Sequence, residues 1–184
     1  MGGRCYYFKT DKSGAKVKIL APHCTDNFQI AKTKFRLEGL DWYSCEQAFQ
    51  SLKFPLGSKP QIQIHDTNPK RFESNSDYGN RVWIMGQTTS VKLQENWSTE
   101  GKKVMLLLNI SKYIANPSYQ EDLLSTKGYE LFGQPSSTEA WARLNPKIQM
   151  YIRDNLDSNI DLKEVLENIG KMDAKKVLEV LENV

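Results

Sequence analysis

Hydrophobic positions in the first 40 residues fall in short runs separated by polar turns, which is the pattern of strands. The runs are 5–8 (Cys-Tyr-Tyr-Phe), 17–20 (Val-Lys-Ile-Leu) and the alternating pair Phe35 and Leu37, with Lys12-Ser13-Gly14 as one of the turns. The stretch 21–28 carries no such run and predicts a loop. The period then changes. Ser44 followed by Gln47 forms a capping box, and Pro55 stops a helix opened by Cys45. That helix is expected to span about three turns. From 55 to 79 the chain is rich in Pro, Asn, Ser, Asp and Lys, which predicts a long connection over a site rather than a second domain.

Beyond it, Trp97, Val104, Met105 and Leu108 recur at helical spacing, so a long core helix begins near Asn96 or Trp97 and ends at Asn116-Pro117. Three further helix starts follow: Ser118 with Glu121, Ser136 with Glu139, and Asn145 capping a helix whose first residue is Pro146. The last of these buries a stripe of Ile148, Tyr151, Ile152 and Leu156. The tail reads as a helical hairpin, with a start at Asp161 and Glu164, a stop at Gly170 and a second start at Asp173. Its arms resemble each other at 163–168 and 178–183, but two copies fall short of the three or so that a solenoid needs. The hairpin is expected to be an appended packing or docking element.

A length of 184 residues with 39% hydrophobic residues suits one sizeable core. The net charge of +3 gives no whole-protein field for nucleic acid or an anionic membrane, while leaving room for a local basic cleft. Three cysteines, Cys5, Cys24 and Cys45, fit neither a disulfide framework nor a zinc site, and His23 and His65 are the only histidines. No metal and no cofactor are expected. No apolar run reaches the roughly 18 residues of a membrane span, and the start lacks a secretory or myristoylation signal, so the expected location is intracellular, in the cytoplasm with the nucleus left open.

Candidate chemistry concentrates on the helix after Ser44. Glu46, Gln50 and Lys53 stand at i, i+4 and i+7, so a carboxylate, an amide and an amine share one face. The same charges also suit any helix dipole, Glu in the first turn and Lys in the last, so spacing alone leaves both readings open. Trp97 and Trp141 are placed where either ring could stack on a base or serve as core. No Gly-rich phosphate loop and no Ser-His-Asp or Cys-His arrangement is present.

The run Trp42-Tyr43-Ser44-Cys45-Glu46-Gln47-Ala48-Phe49-Gln50-Ser51-Leu52-Lys53-Phe54 resembles the leading motif of the NADAR (YbiA-like) family. In that motif Trp, Glu, an aromatic-Gln pair and Lys-Phe occur at this spacing. Downstream, Trp97, Val104-Met105, Lys112-Tyr113, Asn116-Pro117, Leu123-Leu124, Thr126, Trp141, Asn145, Met150 and Arg153 continue the likeness, which covers about residues 6 to 156. The chain also departs from the family. Gly133, Thr138 and Trp141-Ala142 stand where the family commonly carries Glu, Asp and Trp-Gly, and Asp26-Asn27-Phe28 stands where it has Ser-Asn-Phe.

The resemblance implies a mostly helical α+β single domain with a small N-terminal β-sheet over 1–156, followed by the hairpin at 157–184. It implies an N-glycosidase that cleaves the bond between ribose C1′ and a base nitrogen. The substrate would be ADP-ribosylated guanine in DNA or RNA, or a ribosylaminopyrimidine phosphate of riboflavin synthesis. Lys53 and Glu46 would be catalytic, Lys53 through a Schiff base and Glu46 by aiding the leaving nitrogen and the charge at C1′. Asn27, Phe28, Trp42, Gln50, Trp97 and Trp141 would bind the ADP-ribose or ribosyl-phosphate ligand. If the missing acid at Thr138 is indispensable, the alternative is a module that holds ADP-ribose or a nucleotide without cleaving it. A scaffold acting only through its hairpin ranks behind both.

Overall fold

The computed structural model describes residues 3–134 and 138–184. Strand β1 (Cys5–Thr10) pairs antiparallel with β2 (Lys16–Leu20), with Tyr6 opposite Leu20 and Thr10 opposite Lys16. The turn between them is built by Asp11, whose Oδ1 accepts from the backbone N–H of Ser13 and Ala15, and by Gly14 at φ +86°. The other edge of β1 pairs with the short β5 (Phe132–Gly133), giving the order β2-β1-β5. A separate ribbon joins β3 (Phe35–Leu37) to β4 (Leu40–Trp42).

Helices make up the rest: α1 (Cys45–Leu52), α2 (Lys59–His65), α3 (Asn75–Met85), α4 (Trp97–Ala115), α5 (Pro117–Leu124), α6 (Glu139–Asp157), α7 (Leu162–Lys171) and α8 (Ala174–Glu182). Helix α4 is the axis of the molecule. Every residue from Met105 to Tyr113 is buried, because α1, α5, α6, α7, α8 and β3 surround it. The main core gathers Trp42, Phe35, Phe49, Met105, Leu106, Leu108, Ile110, Tyr113, Ile148 and Ile152. The hairpin adds Leu162, Val165, Ile169, Val177 and Leu181 to that same core.

Strands β1, β2 and β3, the long helix α4 and the two hairpin helices lie where the sequence pattern puts them, whereas β4 and β5 were not expected. Elsewhere the structure corrects it. The segment 55–79 is not an open connection, since it contains α2 and the start of α3, and Phe54, Ile64, Tyr78 and Val82 form a second small core beneath them. Its polar composition reflects helices that bury only one side. Helix α1 has 8 residues, about two turns, and ends at Lys53 before Pro55 is reached. Helix α5 starts two residues earlier than a cap at Ser118 implies, with Asn116 closing α4 and Pro117 opening α5 in the first helical position.

Asn145 does not cap a helix. It lies inside α6, and so does Pro146, which gives no N–H to the carbonyl of Ala142 one turn back. That carbonyl faces Gly133, where a Cβ would sit 1.9 Å from the Ala142 oxygen. Gly133 and Ala142, two of the departures noted above, are thus one close contact between β5 and α6. The expected cap at Ser136 falls outside the described residues.

Candidate active site

Helix α1 carries the proposed chemistry because it is buried on all sides while keeping polar side chains. Ser44 caps it, its Oγ accepting from Gln47 N–H at 3.1 Å. Gln47 reaches back to Tyr43 N–H at 2.9 Å, one residue before the cap, and its amide donates to the carbonyls of Ile64, His65 and Thr67. The upstream loop fixes the other side, with Glu46 N–H donating to the Asn27 carbonyl at 2.9 Å.

Glu46 is fully buried. Gln50 Nε2 donates to its Oε1 at 2.6 Å, while its Oε2 has no hydrogen-bond partner among the described residues. Burial pushes the Glu46 carboxyl up from 4.5 to about 7, against the pull of the Gln50 amide and the Lys53 charge. Lys53, two turns on, moves the other way, because desolvation lowers its ammonium and the nearby Glu46 charge offsets part of that. An acid raised toward neutrality and an amine lowered toward it share one helix face.

Lys53 lines a cavity of about 260 Å³ whose walls also include Phe49, Trp97, Lys102, Trp141 and Leu144. Phe49 is the hub of the aromatic wall, lying 5.2 Å from the Trp97 ring and 5.1 Å edge-to-face from Trp141. Gly101 lets the Trp97 indole lie on the helix backbone, since a Cβ there would be 3.0 Å from Trp97 Cε2. Trp97 and Trp141 are half-buried, so each presents ring surface to the cavity. The structure therefore brings Lys53, Trp97 and Trp141 together around one space, with Glu46 and Gln50 behind Lys53 in the interior.

The other candidates lie elsewhere. Trp42 is a core residue, with no exposed surface, its indole N–H given to the Leu37 carbonyl at 3.2 Å and its ring edge-on to His65. It has no face left for a ligand. Asn27 is also fully buried, accepting from Asn109 and donating to Asn145, so its side chain is committed to the protein interior. Phe28 packs on the backbone of α3 at Gly79, where a Cβ would meet its ring at 2.3 Å.

Asn27 belongs to a buried polar network that explains several other residues of the resemblance. Lys112 Nζ donates to the Cys24 carbonyl at 2.6 Å and to Asn109 Oδ1 at 3.0 Å. Tyr113 donates to Gln149 at 2.7 Å, and Asn145 donates to the carbonyls of Gly3 and Thr25 at 2.9 Å. Arg153 holds the carbonyls of Thr126 and Tyr129. These side chains anchor the loop 21–28 and the turn after α5 instead of lining the cavity.

Two contributors were not visible in the sequence reading. Phe49 reads as an ordinary apolar helix position, and only its contacts reveal its role. Asp26 is half-buried, accepts from Phe28 N–H at 3.0 Å, and has its carboxyl raised by burial, with the Lys112 charge opposing. It adds a second carboxyl close to the start of α1. The three cysteines are free and buried, with burial pushing Cys5 up to about 12 and Cys45 to about 11. Among the described residues, no three His, Cys, Asp or Glu side chains gather as a metal-holding group, and no helix is long and apolar enough to cross a membrane.

No family model matches the chain, and no curated protein matches it either. Among solved structures, the NMR structure of the Escherichia coli protein YbiA matches at 20% identity and a TM-score of 0.60, covering 74% of this chain and 79% of that chain. The fold is thus YbiA-like, α+β with a small antiparallel sheet and a dominant set of helices.

Proposed function

We propose that this YbiA-like chain is an N-glycosidase of the NADAR type, breaking the bond between a ribose C1′ and a base nitrogen. The observation that supports this reading is Lys53, a partly desolvated amine at an aromatic-walled cavity with the raised carboxyl of Glu46 on the same helix face. The base stacks against Trp97 or Trp141, and the sugar lies toward Lys53. Opening of the ribose ring breaks the C1′–O4′ bond, moving a proton from the linking nitrogen to O4′ and leaving C1′ as an imine of that nitrogen; Lys53, having given a proton to Glu46, adds to C1′ as a neutral amine. The C1′–N bond then breaks, with its electron pair and a proton going to the departing base. Water hydrolyses the resulting Schiff base, which frees the sugar and restores the amine. Gln50 holds Glu46 in place through its amide rather than touching the sugar.

The substrate classes this chemistry suits are an ADP-ribosylated base such as guanine and a ribosylaminopyrimidine phosphate, since both join ribose C1′ to nitrogen with phosphate nearby. Incubating the protein with each and following free base by mass spectrometry tests the reading. Lys53→Ala is expected to abolish release in a folded protein, and borohydride is expected to trap a sugar adduct on Lys53. Normal turnover by Lys53→Ala would end the Schiff-base mechanism.

A second reading, a module that binds ADP-ribose or a nucleotide without cleaving it, is favoured by one observation. Thr138 puts a hydroxyl where the resemblance expects an acid, and at Gly133, the other such position, the close approach of the Ala142 carbonyl leaves no room for any side chain. Thermal stabilisation by ADP-ribose with no base released would select it.

A further inference from the structure

Strand β2 has one paired edge and one open edge. The sheet order is β2-β1-β5, and among the described residues nothing pairs with β2 on its outer side. The ladder fixes which backbone groups stand there. The Ala21 N–H donates to the Cys5 carbonyl and the Asp11 N–H to the Ala15 carbonyl, both at 2.9 Å. Bonded pairs alternate along an antiparallel ladder, so Tyr7 with Ile19 and Lys9 with Val17 also bond inward. The N–H and C=O groups of Lys16, Lys18 and Leu20 therefore point away from β1, as the row that accepts a further strand. The side chains of the same three residues share the outer face of the sheet with Tyr6, Phe8 and Phe132, because residues directly opposite lie on one face. Tyr6 lies 5.7 Å from the Phe8 ring and 5.6 Å from the Phe132 ring, and Phe8 and Leu20 remain more than two-fifths exposed. We propose that this edge docks an extended acidic segment of a partner protein, which joins the sheet as a further strand beside β2.

Charge selects the partner. The chain as a whole is nearly balanced, with 25 basic against 22 acidic residues, yet the hairpin from 5 to 20 carries Lys9, Lys12, Lys16 and Lys18 against the single acid Asp11. Asp11 is already committed, accepting from the Ser13 and Ala15 N–H groups and from the Ser13 hydroxyl. Lys18 Nζ lies 3.8 Å from the Tyr6 ring centroid and 3.4 Å from Gln134 Oε1, so its charge is held on the outer face. A strand laid along β2 sets alternate residues opposite Lys16, Lys18 and Leu20. The fitting segment thus carries two acids two positions apart and an apolar residue next in the same alternation, against Leu20 and Tyr6. Its intervening residues meet Val17 and Ile19 on the other face and are apolar in turn, since Val17 is also more than two-fifths exposed. A second copy of this chain fits less well, because antiparallel pairing of β2 with itself over its whole length sets Lys18 opposite Lys18. A bilayer would strip water from the outward N–H and C=O groups and return no hydrogen bond. No residue of β2 lines the Lys53 cavity, so docking here is independent of the chemistry proposed there.

The test is fluorescence anisotropy of the full chain with a labelled synthetic peptide of alternating glutamate and valine, beside a control peptide of alternating lysine and valine. The glutamate peptide is expected to bind and the lysine peptide not to. Changing Lys16→Glu and Lys18→Glu together is expected to weaken binding on the order of tenfold, because two attractive cross-strand pairs become repulsive. Both side chains are exposed, so circular dichroism should show the fold unchanged. Amide hydrogen exchange supplies a second readout, in which the N–H groups of Lys18 and Leu20 exchange quickly in the free chain and slow when the glutamate peptide is bound. Absence of binding at millimolar peptide, equal affinity for the two peptides, or no slowing at Lys18 and Leu20 would overturn the proposal. So would a dimer that protects those amides without peptide, or binding to phosphatidylserine vesicles in place of the peptide. Base release without peptide binding would end this inference and leave the N-glycosidase reading standing, while peptide binding without base release would do the reverse.

Discussion

Replacing Glu46 by glutamine should make the protein more stable at neutral and alkaline pH while stopping its chemistry. The Glu46 carboxyl is fully buried and raised from 4.5 to about 7, chiefly by burial. Each tenfold change in proton affinity is worth about 1.4 kcal/mol, so holding this group ionised costs the fold roughly 3 kcal/mol. A carboxyl raised in the folded state carries no penalty below its unfolded value. The penalty grows as pH climbs from 4.5 toward 7 and is constant above that. Glutamine mimics the protonated acid. Its oxygen can still accept from Gln50 Nε2, and its amide takes the place of the Oε2 that lacks a partner. The variant should therefore match wild type at about pH 4 and exceed it by roughly 3 kcal/mol at about pH 8. For a chain of this length that is a rise in Tm on the order of 6–12 °C. Thermal unfolding by circular dichroism at several pH values reads it directly. A Tm difference that stays flat with pH refutes the argument, and so does a variant less stable than wild type at about pH 8, which would mean that the ionised carboxylate stabilises the fold through Lys53.

Two further outcomes follow from the packing. Asn145→Ala should cost on the order of 2–4 kcal/mol, because the buried carbonyl of Thr25 and the half-buried one of Gly3 lose their donor and the amides of Asn27 and Gln149 lose an acceptor; a loss under about 1 kcal/mol in urea unfolding would show that the network relaxes around the gap. Deleting the chain after Asn159 should abolish cooperative unfolding and expose dye-binding apolar surface. Leu162, Val165, Ile169, Val177 and Leu181 belong to the main core, and at about 1.5–3 kcal/mol each their sum rivals the whole stability of a domain. A truncated chain melting like wild type would instead make the hairpin a separate appendage.

The elements most readable in the sequence are those with a period long enough to fix them locally. Ser44 and Gln47 set the start of α1, the apolar spacing from Trp97 sets α4, and Asp161 and Asp173 cap the two hairpin helices through their own side chains. The i, i+4, i+7 arrangement of Glu46, Gln50 and Lys53 was equally legible, because helix geometry alone puts the three on one face. What failed was local in another way. The polar composition of 55–79 concealed α2 and α3, whose single apolar sides, centred on Ile64, Tyr78 and Val82, are too sparse to stand out. Pro146 looked like a helix start because its effect on the turn before it depends on what that turn faces, here the close approach of Gly133.

Sequence by itself determined which residues could do chemistry, since side-chain type and helical spacing are properties of the chain. The tertiary structure decided their condition. Burial, not spacing, raises the Glu46 carboxyl and lowers the Lys53 ammonium. Packing divides four similar-looking candidates, committing Trp42 and Asn27 to the interior and giving Trp97 and Trp141 to the cleft.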